Sequence, residues 1–241
     1  MINYLATQKN WQNAFSDTIT SFAELAQALD LPMDSFDSQV GQFPLKVPRR
    51  FVQKMGKGDI HDPLLKQVLP TFQETVQVTG FVTDPLDEQH ANPVKGIIHK
   101  YASRVLIPVT GACVVNCRYC FRQHFDYHEN LPTQNDWQAI SAYITAHPAV
   151  NEVILSGGDP LSLSNRRLLE IFTTLEALPQ VQTIRIHTRV PVMIPERLDE
   201  PLLARFANSR CHIVMVIHAN HPNEIDQETQ IFLGKAKKAG V

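Results

Sequence analysis

No run in this 241-residue sequence approaches the roughly 18 consecutive apolar residues that a membrane-spanning helix needs. Its opening, Met1-Ile2-Asn3-Tyr4, lacks a basic stretch followed by an apolar one, so no secretory leader is expected and the chain reads as soluble and cytoplasmic. An excess of charge of one sign is missing too. With a formal net charge of -2 and a pI near 6.5, there is no basic field for a phosphate backbone, so neither nucleic acid nor a membrane is an expected partner. Fixed-period repeats and low-complexity tracts are absent, which excludes solenoids and linker arrays. Cysteine is scarce: three of the four fall between positions 113 and 120, and Cys211 stands in an apolar run. That distribution suits a ligand cluster in a reducing compartment better than a pair of disulfides.

What is present is an apolar content of 44%, enough to bury a sizeable core in one domain. Ser21 can cap a helix with Glu24 reaching back, ahead of Phe22, Leu25, Ala26 and Leu29, and Pro32 stops it. Proline and glycine placement predicts two more helices, over 48–55 and 62–69, and residues 80–96 read as a loop. From Arg104 the pattern changes to short apolar strands at 104–110, 152–155, 183–188 and 212–218, alternating with amphipathic helices at 134–146, 165–178, 195–206 and 223–239. Such alternation implies parallel strands joined by right-handed crossovers, hence an α/β sheet or barrel. The expected division is a helical N-terminal extension and loop over 1–96 and an α/β core over 97–241. Only four strand–helix units are visible before Gly240-Val241, so the expectation is a partial barrel, truncated on its C-terminal side.

Cys113, Cys117 and Cys120 form a C-x3-C-x2-C set directly after the first strand, where parallel α/β folds carry their functional loops. Three soft thiolates are one short of the four that usually hold a [4Fe–4S] cluster, leaving one iron open to a cofactor or substrate. The alternative is a structural zinc held by these cysteines and His124, which would make the chain a zinc-stabilised interaction module. Cys211, at the start of an apolar strand, reads as a small buried hydrophobe.

The cysteine loop with Tyr119, and Ser156-Gly157-Gly158-Asp159-Pro160 after the second strand, resemble the radical S-adenosylmethionine (SAM) superfamily. The runs Cys117-Arg-Tyr-Cys-Phe-Arg122, Leu155-Ser-Gly-Gly-Asp-Pro-Leu161, Arg185-Ile-His-Thr-Arg189 and His218-Ala-Asn-His-Pro-Asn-Glu224 are similar to the lysine 2,3-aminomutases. Val47-Pro-Arg-Arg-Phe51, Asp62-Pro-Leu-Leu65, Thr83-Asp-Pro-Leu86, Glu88-Gln-His90 and His99-Lys-Tyr101 resemble the branch that makes β-lysine for elongation factor P. The resemblance covers nearly the whole chain and implies a partial (βα)6-type radical SAM barrel.

It further implies an isomerase that converts L-lysine to β-lysine through a 5′-deoxyadenosyl radical and an imine of lysine on pyridoxal 5′-phosphate (PLP). Its cofactors would be a [4Fe–4S] cluster, SAM and PLP. Carried over by position, Cys113, Cys117 and Cys120 would hold the cluster, and Tyr119, Gly157, Gly158, Asp159, His187, Arg189 and His218 would lie against SAM. Glycines at 157 and 158 would let the backbone approach the methionine moiety and turn sharply. Arg122 would grip the substrate carboxylate as a planar bidentate donor. Arg104 and Lys100 would neutralise the PLP phosphate, although the family more usually has arginine where Lys100 stands.

The lysine that binds PLP in this family, and the aspartates that hold the substrate ε-amine, would fall beyond Val241. Lys235, Lys237 and Lys238 read as exposed residues near a helix C-terminus, not as the PLP lysine. The implied partners are L-lysine and, functionally, elongation factor P with its β-lysine ligase. A free-lysine aminomutase serving other metabolism is the enzymatic alternative, and self-association into a homo-oligomer is left open.

Overall fold

The computed structural model describes residues 10–36 and 43–241; the expectation built on Met1-Ile2-Asn3-Tyr4 falls outside them. Its centre is a five-stranded sheet in the order β3-β4-β5-β6-β7, formed by Ile98–Tyr101, Arg104–Thr110, Glu152–Gly157, Thr183–Thr188 and His212–Ile217. β3 pairs antiparallel with β4, and every later pair is parallel.

Parallel neighbours require crossovers, and helices α5 (Asp136–Ala146), α6 (Asn165–Glu176) and α8 (Glu200–Ala207) supply them, with the single turns α4 (Tyr127–Asn130) and α7 (Val190–Met193) in the connections. Alternation along the strands divides the work. Val105, Ile107, Val153, Leu155, Ile184 and Ile186 are fully or almost fully buried on one face. Against that sheet lie the apolar stripes of the helices, such as Leu168, Ile171, Phe172 and Leu175 of α6. Phe172 stacks on Phe206 of α8 with ring centroids 5.5 Å apart. Residues of the opposite parity, including Arg104, Leu106, Ile154, Ser156 and His187, face an open concavity.

β4 and β6 have the bounds read from the sequence. β5 runs two residues past Leu155, to Gly157, because its end still pairs with Thr110 of β4. β3 has no counterpart among the strands expected from the sequence. Its four residues carry too short a pattern to declare a strand, and only the hairpin with β4 defines it. The helix expected at 195–206 is interrupted where Asp199 accepts a hydrogen bond from Leu202 N and starts α8 afresh. The last helix likewise begins late, at α9 (Gln227–Lys238), with Asp226 as its cap.

The N-terminal segment carries α1 (Asn10–Ser16), β1 (Thr18–Ile19), α2 (Phe22–Leu29), β2 (Val47–Pro48) and α3 (Arg49–Val52), with β1 and β2 paired antiparallel. Ser21 caps α2 by accepting from Glu24 N, but the Glu24 carboxylate pairs with Arg49 instead of reaching back to the cap. The helix ends at Asp30, in the left-handed region at φ 54°. The helix expected at 48–55 shrinks to the single turn α3: Pro48 pairs with Thr18 of β1, and past Gln53 the bonds tighten to i→i−3, Lys54 N donating to Phe51 O and Met55 N to Val52 O. Over 62–69 only a 3-10 turn forms, at Leu65–Gln67; Asp62 ties itself to Leu64 N, Leu65 N and Gly56 N.

The apolar core is continuous from Trp11 through Phe51, Leu65 and Ile107 to Ala236. Arg197, fully buried, reinforces that continuity by donating to Leu161 O and Leu163 O while its guanidinium lies 4.4 Å from the Trp11 ring centroid. Among the described residues no helix is long and apolar enough to cross a membrane.

Candidate active site

The concave face of the sheet forms one cavity of about 540 Å³ that runs the length of the strands. Cys113 lies just past the C-terminal end of β4 and Arg104 at its start, and both line the cavity. Six residue steps at about 3.3 Å separate the ends of β4 by roughly 20 Å. The sulfur end and the cationic end are therefore distinct subsites.

At the sulfur end, Cys113, Cys117 and Cys120 are free, partly buried thiols facing the same space. Burial raises the pKa of the Cys113 and Cys120 thiols, and the neighbouring sulfurs push in the same direction. Three such thiolates need a cationic group among them. His124, the fourth ligand of the zinc alternative, is exposed and outside the cavity lining. Among the described residues no three His, Cys, Asp or Glu side chains converge on one ion position. A zinc ion about 2.3 Å from each sulfur would draw them within roughly 4 Å of one another. A multi-iron cluster takes its thiolates on separate metals, so the donor set, with His124 outside the lining, fits a cluster better than a Cys₃His zinc.

Arg189, at the end of β6, donates to Cys117 Sγ at 2.8 Å and to Glu224 Oε2 at 3.1 Å. Tyr119 is 40% exposed, with its ring 5.2 Å from that of His218. The Arg189 guanidinium lies 5.4 Å from the same Tyr119 ring. His187 faces the cavity with its buried Nε2 unpartnered, an open donor or acceptor for a bound molecule. Burial lowers the pKa of both His187 and His218, and nearby arginines add to it, which favours the neutral imidazoles.

The Gly157-Gly158-Asp159 turn differs in emphasis from its sequence reading. A Cβ on Gly157 would stand 2.6 Å from Thr110 O, and one on Gly158 2.5 Å from Ala112 O. Gly157 is thus demanded first by the approach of β5 to β4 and Gly158 by its approach to the start of the cysteine loop, although both also line the cavity. Gly157, at φ +107°, makes the sharp turn. Asp159 was expected against SAM. It lines the same cavity as the cysteines, and its carboxylate accepts four hydrogen bonds, from Leu161 N, Thr188 Oγ1, Arg189 N and Val190 N, which join the ends of β5 and β6. Gly158→Ala is expected to cost about 1–3 kcal/mol through overpacking and to lower iron content per chain after reconstitution. Thermal midpoint and iron analysis check the two effects.

Arg122, which lines the same cavity, is 7% exposed. Its Nε and Nη2 bond the Glu88 carboxylate at 2.8 and 2.5 Å, and Nη1 donates to Ser156 Oγ at 2.9 Å. Phe121 and Phe125 lie 4.7 and 5.9 Å from the guanidinium. Three of five N–H donors are used, leaving two for a substrate carboxylate.

At the far end Lys100 and Arg104 line the cavity, and Arg104 Nε is buried without a partner, which fits a phosphate. Glu152 sits between Arg104 at 3.7 Å and Arg185 at 2.8 Å, so the local balance is positive. Lys235, Lys237 and Lys238 are exposed on the last turn of α9, away from the cavity. Cys211 is buried and donates to Val181 O, apart from the site.

Glu88, Gln67 and Glu224 were not singled out from the sequence. Glu88 and Glu224 do belong to the runs that carry the resemblance, but nothing in a one-dimensional pattern pairs them with Arg122 and Arg189.

A family model describing the Radical SAM superfamily matches residues 107–229, the stretch from within β4 to the start of α9. The L-lysine 2,3-aminomutase of Haemophilus influenzae is 45% identical over 223 residues, covering 91% of this chain and 66% of that protein. The L-lysine 2,3-aminomutase of Escherichia coli is 42% identical over 239 residues, covering 98% of this chain and 70% of that protein. The protein of the same name from Clostridium subterminale is 31% identical, with 93% and 55% covered. The chain thus spans about two thirds of the length of the first two relatives. Matched along nearly its whole length to these proteins, with a thiol triad that suits a cluster, the chain belongs to the radical SAM superfamily and, within it, to the lysine 2,3-aminomutase family, isomerases whose cofactors are a [4Fe–4S] cluster, SAM and PLP.

Proposed function

We propose that the protein isomerises L-lysine to β-lysine, and that the β-lysine is made for attachment to elongation factor P. The observation that carries the reaction is that three thiols, Arg122 and the Lys100 and Arg104 cations line one cavity, with the cysteine loop and Arg104 at opposite ends of β4. Cys113, Cys117 and Cys120 would hold the cluster. Tyr119, His187, Arg189, His218 and the Gly157-Gly158 turn would surround SAM, with Asp159 fixing the turn. Lys100 and Arg104 would hold the PLP phosphate. When bound, the cluster with SAM supplies hydrogen-atom abstraction, and PLP supplies the carrier on which the amino group migrates.

The chain's own residues supply position. Arg122 offers its two unused N–H groups to the lysine carboxylate, held still by Glu88, Ser156 and the flanking rings. Leu106, Ile154 and Val216 line the space between the subsites with apolar surface. Residues 97–241 would form the radical SAM core and 1–96 its N-terminal extension. Free cysteines and the cofactor set support a cytoplasmic location. The motifs between Val47 and Tyr101 support the link to elongation factor P.

Anaerobic reconstitution with iron and sulfide tests the reading. The expected result is a thiolate-to-iron charge-transfer band, and 5′-deoxyadenosine from SAM under dithionite; stoichiometric zinc uptake with no such band would overturn it. The full-length protein should convert lysine to β-lysine, and adding the β-lysine ligase should transfer that product to elongation factor P. Conversion without transfer would leave a free-lysine aminomutase.

A further inference from the structure

The cysteine loop is held less by the barrel than by a segment that precedes it. Lys46 Nζ donates to Cys113 O at 2.7 Å. Asn116 N donates to Lys46 O at 2.9 Å, and Asn116 Nδ2 to Pro44 O at 2.9 Å. Arg118 N donates to Gln67 O at 2.8 Å, Arg118 Nη1 to Phe43 O at 2.9 Å and Arg118 Nε to Glu74 Oε1 at 2.7 Å. Every one of these partners lies between residues 43 and 74, outside the stretch matched by the superfamily model. Main-chain bonds at Cys113, Asn116 and Arg118 set the path of the loop itself, and hence where its sulfurs stand.

Gln67 links this brace to the rest of the site. It is 8% exposed. Its Oε1 accepts from Tyr119 OH at 3.2 Å, from Asn220 Nδ2 at 3.3 Å and from Arg189 Nη2, while its Nε2 donates to Glu224 Oε1 at 2.9 Å. Those four partners come from the cysteine loop, the end of β6 and the loop after β7. A primary amide accepts from the arginine and the phenol at its oxygen while it donates to the carboxylate from its nitrogen. A glutamate here would face Glu224, and an apolar side chain would strand buried polar groups.

Resting on the cluster reading above, we infer that segment 43–74 positions the cysteine loop, and that Gln67 is the residue that sets the loop, Arg189 and Glu224 relative to one another. Through Arg189, which also donates to Cys117 Sγ, Gln67 acts on the cluster without touching it.

The test uses the full chain, anaerobically reconstituted, as wild type, Gln67→Met, Gln67→Glu and Lys46→Met. Readouts are the rate of iron loss to a ferrous chelator, the change in the reduced cluster's EPR signal on adding SAM, and the thermal midpoint. Gln67→Met and Gln67→Glu are expected to lose iron about tenfold faster, the factor matching a lost buried hydrogen bond, and to require more SAM for the EPR change. Lys46→Met, at a half-buried position where folding is less at risk, should shift the same readouts in the same direction, and Lys46→Arg should restore them. Should iron loss and the SAM response stay at wild-type values while the thermal midpoint falls, Gln67 is only a packing residue and the inference is overturned. A wild-type chain that takes up no cluster would overturn the proposed function along with it.

Discussion

Cys117→Ala is expected to abolish SAM cleavage while leaving the fold in place. The sulfur is only partly buried, and the substitution leaves the Arg189 guanidinium its bonds to Gln67 and Glu224. Little packing is therefore lost, but one of three thiolates is. Changes to groups that merely orient a metal ligand already cost about 10–100-fold in affinity or activity, so removal of a direct ligand should exceed that range. Chromatographic measurement of 5′-deoxyadenosine under dithionite, beside a thermal melt, separates chemistry from folding. Production retained near the wild-type rate would remove Cys117 from the cluster.

Arg122 should show two effects that different substitutions pull apart. Arg122→Ala leaves the Glu88 carboxylate buried, at 6% side-chain exposure, with no cation. Breaking a buried pair from one side costs about 3–5 kcal/mol, so this variant should unfold at a clearly lower urea midpoint. Arg122→Lys keeps the charge but loses the planar fork that serves Glu88 and Ser156 together and the stacking between Phe121 and Phe125. In the full-length enzyme its KM for L-lysine should rise about 10–100-fold, the equivalent of one charge-assisted hydrogen bond, with a smaller change in kcat. An unchanged KM would take Arg122 out of the substrate site.

Much of the core was legible because its signal is local. β4 and β6 announce themselves by β-branched runs, and α6 by an apolar residue every third or fourth position. Of the misjudged elements, α8 and α9 start late at the local caps Asp199 and Asp226, while others answer to distant partners. Pro48 is held by its pairing with β1 and not by the helix it was expected to open, and β3 exists only as one side of a hairpin. Within the site, the cysteines were legible by spacing and loop polarity, since a cluster loop is contiguous in the chain. The roles given to the glycine turn were legible only in part. Its closest neighbour proved to be the Ala112 carbonyl, a contact that arises from strand pairing.

The sequence by itself determined the alternation of strands and helices, the cysteine triad after β4 and, by resemblance, the chemistry to be expected there. These properties follow from residues close together in the chain, where hydrophobic period and ligand spacing act directly. Tertiary structure alone decided which charges meet. Glu88 reaches Arg122 across 34 positions, Glu224 reaches Arg189 across 35 and Gln67 reaches it across 122. Buried polar groups must find partners once water is excluded, but which partner lies within reach depends on how the sheet curves and where the N-terminal segment packs, and no local pattern records that.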